Sequence, residues 1–233
     1  MKTTISDSTR FSGKVTLKKI LLICGILSSI LYVTATILGA MRWEGYSSVS
    51  QTVSELIAVN APSAPLVVPL FVTYSVMMFA FASGVWRSSG QNPVLRIVAY
   101  FIAGKEVLGL VATLFAPMHM RGYETTLSDT MHALLTGVGV FFCMFPAIGL
   151  GATAFGKQFR LYSFGTMLIF IVFGIISFLD GPQLAANQPT PLLGVWERVN
   201  IFGYLLWIVV LAVTLLKKEK REDSIKSTTP GLE

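Results

Sequence analysis

The chain has 233 residues, of which 53% are hydrophobic and only 13% are charged. A soluble domain carries about 25% charged residues, so this composition excludes an ordinary soluble protein and indicates an integral membrane protein. The formal net charge of +6 does not indicate a nucleic-acid partner, because the basic residues stand at the ends of apolar segments, where they act as topology signals.

Apolar segments long enough to cross a bilayer recur along the chain and predict an all-α, polytopic transmembrane bundle with six spanning helices. The predicted spans are residues 20–41, 66–86, 94–117, 130–155, 161–179 and 195–216. The first is longer than the roughly 7–15 residues of a signal-peptide core, so we expect it to be retained. The chain then divides into an N-terminal tail (1–19), a six-helix transmembrane domain (20–216) and a polar tail (217–233) of the kind that stays disordered.

A short helix is predicted in the loop between the first two spans, residues 42–64. The run Ser48-Val49-Ser50-Gln51 fits a capping box, and the apolar residues after it share one helical face. Ser54 and Glu55 fall on the opposite, polar face. We expect this helix to lie on the membrane surface or in the mouth of the bundle.

The distribution of basic residues predicts how the chain crosses the membrane. With a cytoplasmic N-terminus, fourteen Lys and Arg residues fall on the inner side and only Arg42, Arg121 and Arg198 on the outer side. This asymmetry follows the positive-inside rule and predicts a multi-pass protein of the cell membrane with both termini cytoplasmic. Both histidines then lie on the outer side.

The segment ahead of the second span resembles a known family. Ser50-Gln51-Thr52-Val53-Ser54-Glu55-Leu56 is similar to the Ser-Glu-Leu segment of a bacterial and archaeal six-helix membrane family, domain of unknown function 998. The runs 117–122 and 128–132 are similar to its second outer segment. The resemblance covers about residues 20–215 and implies the fold and a membrane location, but no activity. Many members have a histidine ahead of Ser-Glu-Leu; here Ser50 and Gln51 fill that region, which weakens a metal role.

Ser128, Asp129 and His132 are predicted to share one face at the start of the fourth span, because they are three and four residues apart. Two interpretations are open. In one, Asp129 orients His132 as an acid–base group or a metal ligand. In the other, Ser128 or Asp129 caps the helix and His132 lies in a polar interface.

Two adjacent ionisable residues, Lys105 and Glu106, interrupt the third span. Charged side chains inside a membrane tend to face the bundle interior, as functional groups or as structural ion pairs. Neighbouring residues on a helix point about 100° apart, so each is predicted to need a partner on another element. Arg198, in the first turn of the sixth span, is unfavourably placed in the helix dipole and also predicts an acidic partner.

His119 and Arg121 lie in the loop after the third span. His119 together with His132, Asp129 and Glu55 would give enough ligands for a zinc site. The sequence has no pair of histidines at a spacing typical of zinc sites, so it leaves both the metal and the cofactor unknown. Arg121 fits either a phosphate or carboxylate ligand or an anchor at the lipid headgroups.

Topology leads to one prediction about the site. We expect five side chains to converge in one polar pocket that opens outward: Glu55, Lys105 or Glu106, Asp129, His132 and Arg198. We expect it to bind a membrane lipid or a small molecule. The candidate binding residues are Ser54, Glu55, Lys105, Glu106, His119, Arg121 and Arg198, and the candidate catalytic residues are Asp129 and His132. The alternatives are a membrane-embedded lipid hydrolase or transferase that uses the catalytic pair, and a small transporter with Lys105 and Glu106 on its path. The sequence leaves the oligomeric state open.

Overall fold

A computed structural model describes residues 16–228 of the chain, with side chains as far as residue 225; the tail segments 1–15 and 229–233 lie outside the described residues. The helices, in chain order, are α1 (Leu17–Arg42), α2 (Ala64–Arg87), α3 (Pro93–Phe115), α4 (Leu127–Val138), α5 (Phe145–Ala154), α6 (Lys157–Leu179), α7 (Gly181–Ala185) and α8 (Leu193–Thr228). A 3-10 helix, Ser54–Ile57, lies in the first loop, and a π-helical segment, Gly139–Met144, joins α4 to α5.

Six helical stretches among the described residues are long and apolar enough to cross a membrane, which confirms the predicted all-α bundle of a multi-pass membrane protein. They are α1, α2, α3, the continuous α4–α5 stretch, α6 and α8. Each packs against the next in the chain, and α8 packs against both α6 and α1, so the bundle closes on itself. Because successive spans alternate in direction, the loops 43–63, 116–126 and 180–192 meet at the same end, which we call the polar end.

The residue that caps α4 differs from the prediction. Thr126 is the N-cap and accepts from the Asp129 N–H, while the Asp129 carboxylate accepts from the Thr126 N–H, so the two form a capping box. Ser128 instead donates its hydroxyl to the Pro117 carbonyl at 2.7 Å. The start of the helix therefore lies three residues earlier than the apolar pattern alone predicts.

The first loop does not form the predicted surface helix. The Gln51 side chain accepts the Ser47 N–H at 2.9 Å and closes a turn, and only Ser54–Ile57 is helical, as a 3-10 turn. That turn is buried, because Leu56 packs with Val67 in a small apolar cluster between α1 and α2. The apolar residues of this loop therefore face the bundle rather than the membrane surface.

Helix α8 continues past the predicted end of the sixth span and reaches Thr228, so the start of the polar tail is helical rather than disordered. Two ion pairs tie this extension to the first turn of α1: Lys18 with Glu219, and Lys19 with Asp223 at 2.7 Å between Nζ and Oδ2. Lys, Arg and Glu are good helix formers, so they continue a helix that the span has already nucleated.

The Trp207 side chain connects α8 with α5 in the core. Trp207 is fully buried and is among the largest side chains of the core. A Cβ added at Gly151 would lie only 2.7 Å from its indole, so the indole can pack on α5 only because Gly151 has no side chain. The Trp207 Nε1–H donates to Ser163 Oγ at 3.0 Å, which fixes the orientation of the indole ring.

Candidate functional site

One buried ion pair joins the loops of the polar end. Glu55 is fully buried, at 0% exposed, and Arg121 donates to both of its oxygens, from Nε to Oε2 and from Nη2 to Oε1, each at 2.9 Å. Arg121 also donates to Thr190 Oγ1 at 2.8 Å and to the Ser50 carbonyl at 2.7 Å. A single guanidinium therefore connects all three loops that meet at this end.

The Glu55 carboxylate has further donors within its own loop. Gln51 Nε2 lies 2.9 Å from Oε2, and the N–H and hydroxyl of Thr52 lie 2.9 Å and 3.2 Å from Oε1. A carboxylate accepts about four hydrogen bonds, so these donors together with Arg121 use its capacity fully. The Glu55–Arg121 pair therefore holds the loops together, and we call it the Glu55 clasp. Ser54 is half-buried at the start of the 3-10 helix and is not part of it.

Arg198 binds backbone oxygens rather than the predicted acidic partner. Its Nη1 donates to the carbonyls of Ser48, Gln51 and Gly194 at 2.7, 2.8 and 2.9 Å. Its Nη2 donates to the Tyr46 hydroxyl, and the guanidinium lies 5.7 Å from the centre of that ring. Burial raises the pKa of Tyr46 to about 12, although the Arg198 charge acts to lower it.

Asp129 orients a histidine, but that histidine is His119 and not His132. Asp129 Oδ2 lies 3.0 Å from His119 Nδ1, and Oδ1 accepts the His119 N–H at 2.6 Å. The chain reverses between the two residues, and the capping box with Thr126 holds the carboxylate toward the loop. The His119 imidazole is half-buried, so it forms the exposed side of a carboxylate–histidine pair.

His132 is buried against the last turn of α3. Its Nδ1 lies 2.9 Å from the Ala116 carbonyl and 3.3 Å from the Ala112 carbonyl, oxygens near a helix C-terminus that lack the usual helical partners. Both oxygens are acceptors, so Nδ1 is the ring nitrogen that donates to them. This geometry corresponds to the polar-interface interpretation of His132, and its Nε2 is buried without a partner among the described residues.

Lys105 and Glu106 pair with each other, contrary to the expectation that adjacent residues need separate partners. Lys105 Nζ lies 2.9 Å from Glu106 Oε1, because the long lysine side chain bends back over the neighbouring carboxylate. Glu106, at 1% exposed, also accepts from the Ser75 hydroxyl at 3.1 Å and the Tyr74 hydroxyl at 3.3 Å. The partners from another helix are thus neutral hydroxyl groups on α2.

Aromatic rings and an irregular helical turn surround this pair. The Lys105 ammonium lies 5.4 Å from the centre of the Tyr74 ring and 5.3 Å from that of Tyr204 on α8. The π segment packs against the same turn of α3, since a Cβ at Gly139 would lie 4.0 Å from Lys105 Cγ. The π segment thus lies at the level of the Lys105–Glu106 pair. π-Helical turns inside α-helices occur often at functional sites.

Family membership adds to this geometry. The family described as "Protein of unknown function (DUF998)" matches residues 26–214 of the chain. The chain belongs to the DUF998 family. Neither a curated protein nor a solved structure matches it. The description of DUF998 states no activity, so the function of this DUF998 protein has to be inferred from its own residues.

The predicted metal ligands are not assembled in this DUF998 protein. Among the side chains from residue 16 to residue 225, no group of three His, Cys, Asp and Glu residues could hold a metal ion. His119 and Asp129 lie together, but Arg121 engages Glu55, and the nearest polar partners of His132 are carbonyls of α3.

The candidate residues of the DUF998 bundle lie at two levels. The Glu55 clasp, Arg198 and the His119–Asp129 pair are at the polar end. The Lys105–Glu106 pair lies near the middle of α3, about three turns from either end. Sequence reasoning missed Asn200 and Tyr204 of α8, of which Tyr204 lies beside Lys105 at the deeper level. These two residues follow Glu197 at spacings of three and four residues, and this polar stripe in the sixth span is a signal that the sequence contains.

Proposed function

We propose that this DUF998 protein binds the headgroup of a membrane lipid, or another amphipathic ligand, inside the bundle below the polar end. The observation that carries the proposal is the pair Asn200 Oδ1 and Tyr204 Oη, which are buried without hydrogen-bond partners among the described residues. They lie one helical turn apart on the face of α8 that reaches Lys105. An unsatisfied polar group in a membrane interior costs several kcal/mol, so a ligand that supplies hydrogen bonds there gains that energy.

The charges around this face favour a ligand without net charge. Lys105 is neutralised by Glu106 at the deeper level, and Arg121 by Glu55 at the polar end. A ligand with a net charge would meet one repelling partner for each attracting one. A neutral or zwitterionic headgroup with hydroxyl or amide groups suits the free oxygens of Asn200 and Tyr204 better.

The packing of α4 supports access from the bilayer. Of its side chains only that of His132 is buried, and α4 packs against α3 and the π segment. Helix α6 packs instead against α5 and α8, and extensive packing between α4 and α6 is absent from the described part of the chain. We infer that lipid enters sideways between these two helices.

Native mass spectrometry of the protein purified in mild detergent tests the proposal. We expect a co-purifying lipid, with an affinity about fivefold to tenfold weaker in Asn200→Leu or Tyr204→Phe, which is the usual effect of one lost hydrogen bond. Tyr162→Phe is the matched control, because it also removes a buried hydroxyl without a partner. Tyr162 lies near the start of α6, at the end of the bundle opposite the polar end. Equal lipid retention by all three variants contradicts the proposal.

The His119–Asp129 pair favours a second candidate function, a lipid hydrolase or transferase. A carboxylate that orients a half-exposed imidazole is the usual form of an acid–base group. In that function His119 takes the role first assigned to His132. Turnover of a labelled lipid that is lost in His119→Gln, with binding retained, distinguishes the enzyme from the binding protein. A transporter that uses Lys105 and Glu106 would instead show flux that depends on a proton gradient.

A further inference from the structure

A basic cleft opens at the opposite end of the bundle, where α1 begins, α2 ends and α3 begins. Its volume is about 390 Å³, and it is lined by Lys18, Trp86, Arg87, Ser89, Gly90 and Arg96. Three of these six residues are cationic and none is acidic. We infer that this basic cleft binds the phosphate group of an anionic ligand.

The two arginines are arranged to leave donors for a ligand. Arg96 donates from Nε to Ser89 Oγ at 3.2 Å and from Nη2 to the Gly90 carbonyl at 2.8 Å, which fixes the plane of the guanidinium. A guanidinium has five N–H donors, so most remain available to the oxygens of a phosphate. The Arg87 side chain forms no hydrogen bond or ion pair with the described residues, and Lys18 is neutralised by Glu219 of α8.

Apolar groups beside these cations indicate a lipid rather than a free anion as the source of the phosphate. Trp86 is 47% exposed and lines the cleft, and Leu17 and Ile97, next in sequence to Lys18 and Arg96, are 56% and 43% exposed. An indole at the end of a span suits the headgroup level of a bilayer. A phospholipid can thus place its phosphate on the arginines and its chains on the apolar surface, as basic pockets between spanning helices do.

The experiment is a native mass-spectrometry titration with three probes: phosphatidylglycerol, a diacylglycerol that lacks phosphate, and inorganic phosphate. We compare Arg87→Gln/Arg96→Gln with Lys157→Gln/Lys217→Gln, which removes two exposed charges at the same end but outside the cleft. We expect the cleft variant to bind phosphatidylglycerol about tenfold more weakly and the control variant to bind it like the wild type. Diacylglycerol should bind weakly to the wild type and to both double variants.

The outcomes separate the sources of the phosphate. Charge-dependent binding of inorganic phosphate with no preference for phosphatidylglycerol supports the phosphate site and assigns it a soluble ligand. Equal losses in the two double variants, or none in either, overturn the inference, since surface charge alone then explains the binding. If the double variant does not fold, Arg87→Gln alone serves, because it removes no hydrogen bond or ion pair to the described residues. The cleft is remote from the polar end, so its test is independent of the proposed function.

Discussion

At the scale of single residues, the Glu55–Arg121 pair has the strongest consequence for stability. Its carboxylate is fully buried and saturated with donors, and its guanidinium reaches three loops. Removing Arg121 leaves Glu55 as a buried charge without its partner, which costs more than the net stabilisation that the pair provides.

We therefore expect Arg121→Met to lower the free energy of unfolding by about 3–5 kcal/mol. The double variant Glu55→Met/Arg121→Met should lose less than the single variant, because it leaves no unpaired charge. Unfolding in detergent, followed by circular dichroism, gives both values and their coupling. Arg42→Met, which removes an exposed arginine near the same end, is the control; equal losses in Arg42→Met and Arg121→Met argue against a clasp.

The sequence identifies many of the polar residues that matter but not their partners. The sequence predicts that Lys105 and Glu106 are shielded from lipid, and Glu106 is buried. It does not predict that they pair with each other, because the angle between neighbouring side chains says nothing about how far a long lysine side chain can bend back. His119 and Asp129 are ten residues apart, across a loop whose reversal no periodicity encodes. Partners across loops depend on backbone conformation, which hydropathy does not specify.

At the scale of elements, the start of α8 is shaped by a loop that lies directly on it. A Cβ added at Gly194 would lie 2.3 Å from the Gln51 carbonyl oxygen and 2.6 Å from that of Ser48. The same two oxygens accept from Arg198, and the Val195 N–H donates to the Val49 carbonyl at 3.1 Å. The first loop and α8 thus meet backbone to backbone.

We expect Gly194→Ala to displace residues 48–51 and to destabilise the protein by about 1–3 kcal/mol, the usual cost of overpacking. The thermal midpoint of the purified variant in detergent measures the loss, and limited proteolysis within residues 42–64 should become faster. Gly165→Ala, also within a spanning helix, is the control, because a Cβ there meets nothing within 4 Å. A Gly194→Ala protein as stable as the control would show that the loop adapts freely.

The spans themselves follow closely from the sequence, whereas the connections do not. In a bilayer every backbone group must be satisfied inside its own segment, so an apolar run of sufficient length forms a helix regardless of its neighbours. The turn Ser54–Ile57 and the extension of α8 beyond the span depend on contacts instead. Those contacts exist only once the helices have assembled.

At the scale of the whole molecule, we propose that the polar end faces outward and that both termini are cytoplasmic. Fourteen basic residues on one side against three on the other motivate this orientation. Reporter fusions placed after Lys217 and within residues 42–64 should report opposite sides, with the first one cytoplasmic. Reporters on the same side, or the reverse assignment, contradict the orientation.

The contacts of Arg198 also bear on the order in which the parts of the chain are made and assembled. Its guanidinium reaches back 147 residues to the Gln51 carbonyl, so the first loop emerges from the ribosome long before its partner is made. In the proposed orientation the loop with Glu55 is translocated first, and four further spans follow before Arg198 is made. A chain that stops before α8 keeps the Glu55–Arg121 pair but lacks the contacts of Arg198 with the first loop. Exposed loops are preferred sites of proteolysis, so we expect the first loop to be cleaved faster in a chain that lacks α8 than in the whole chain.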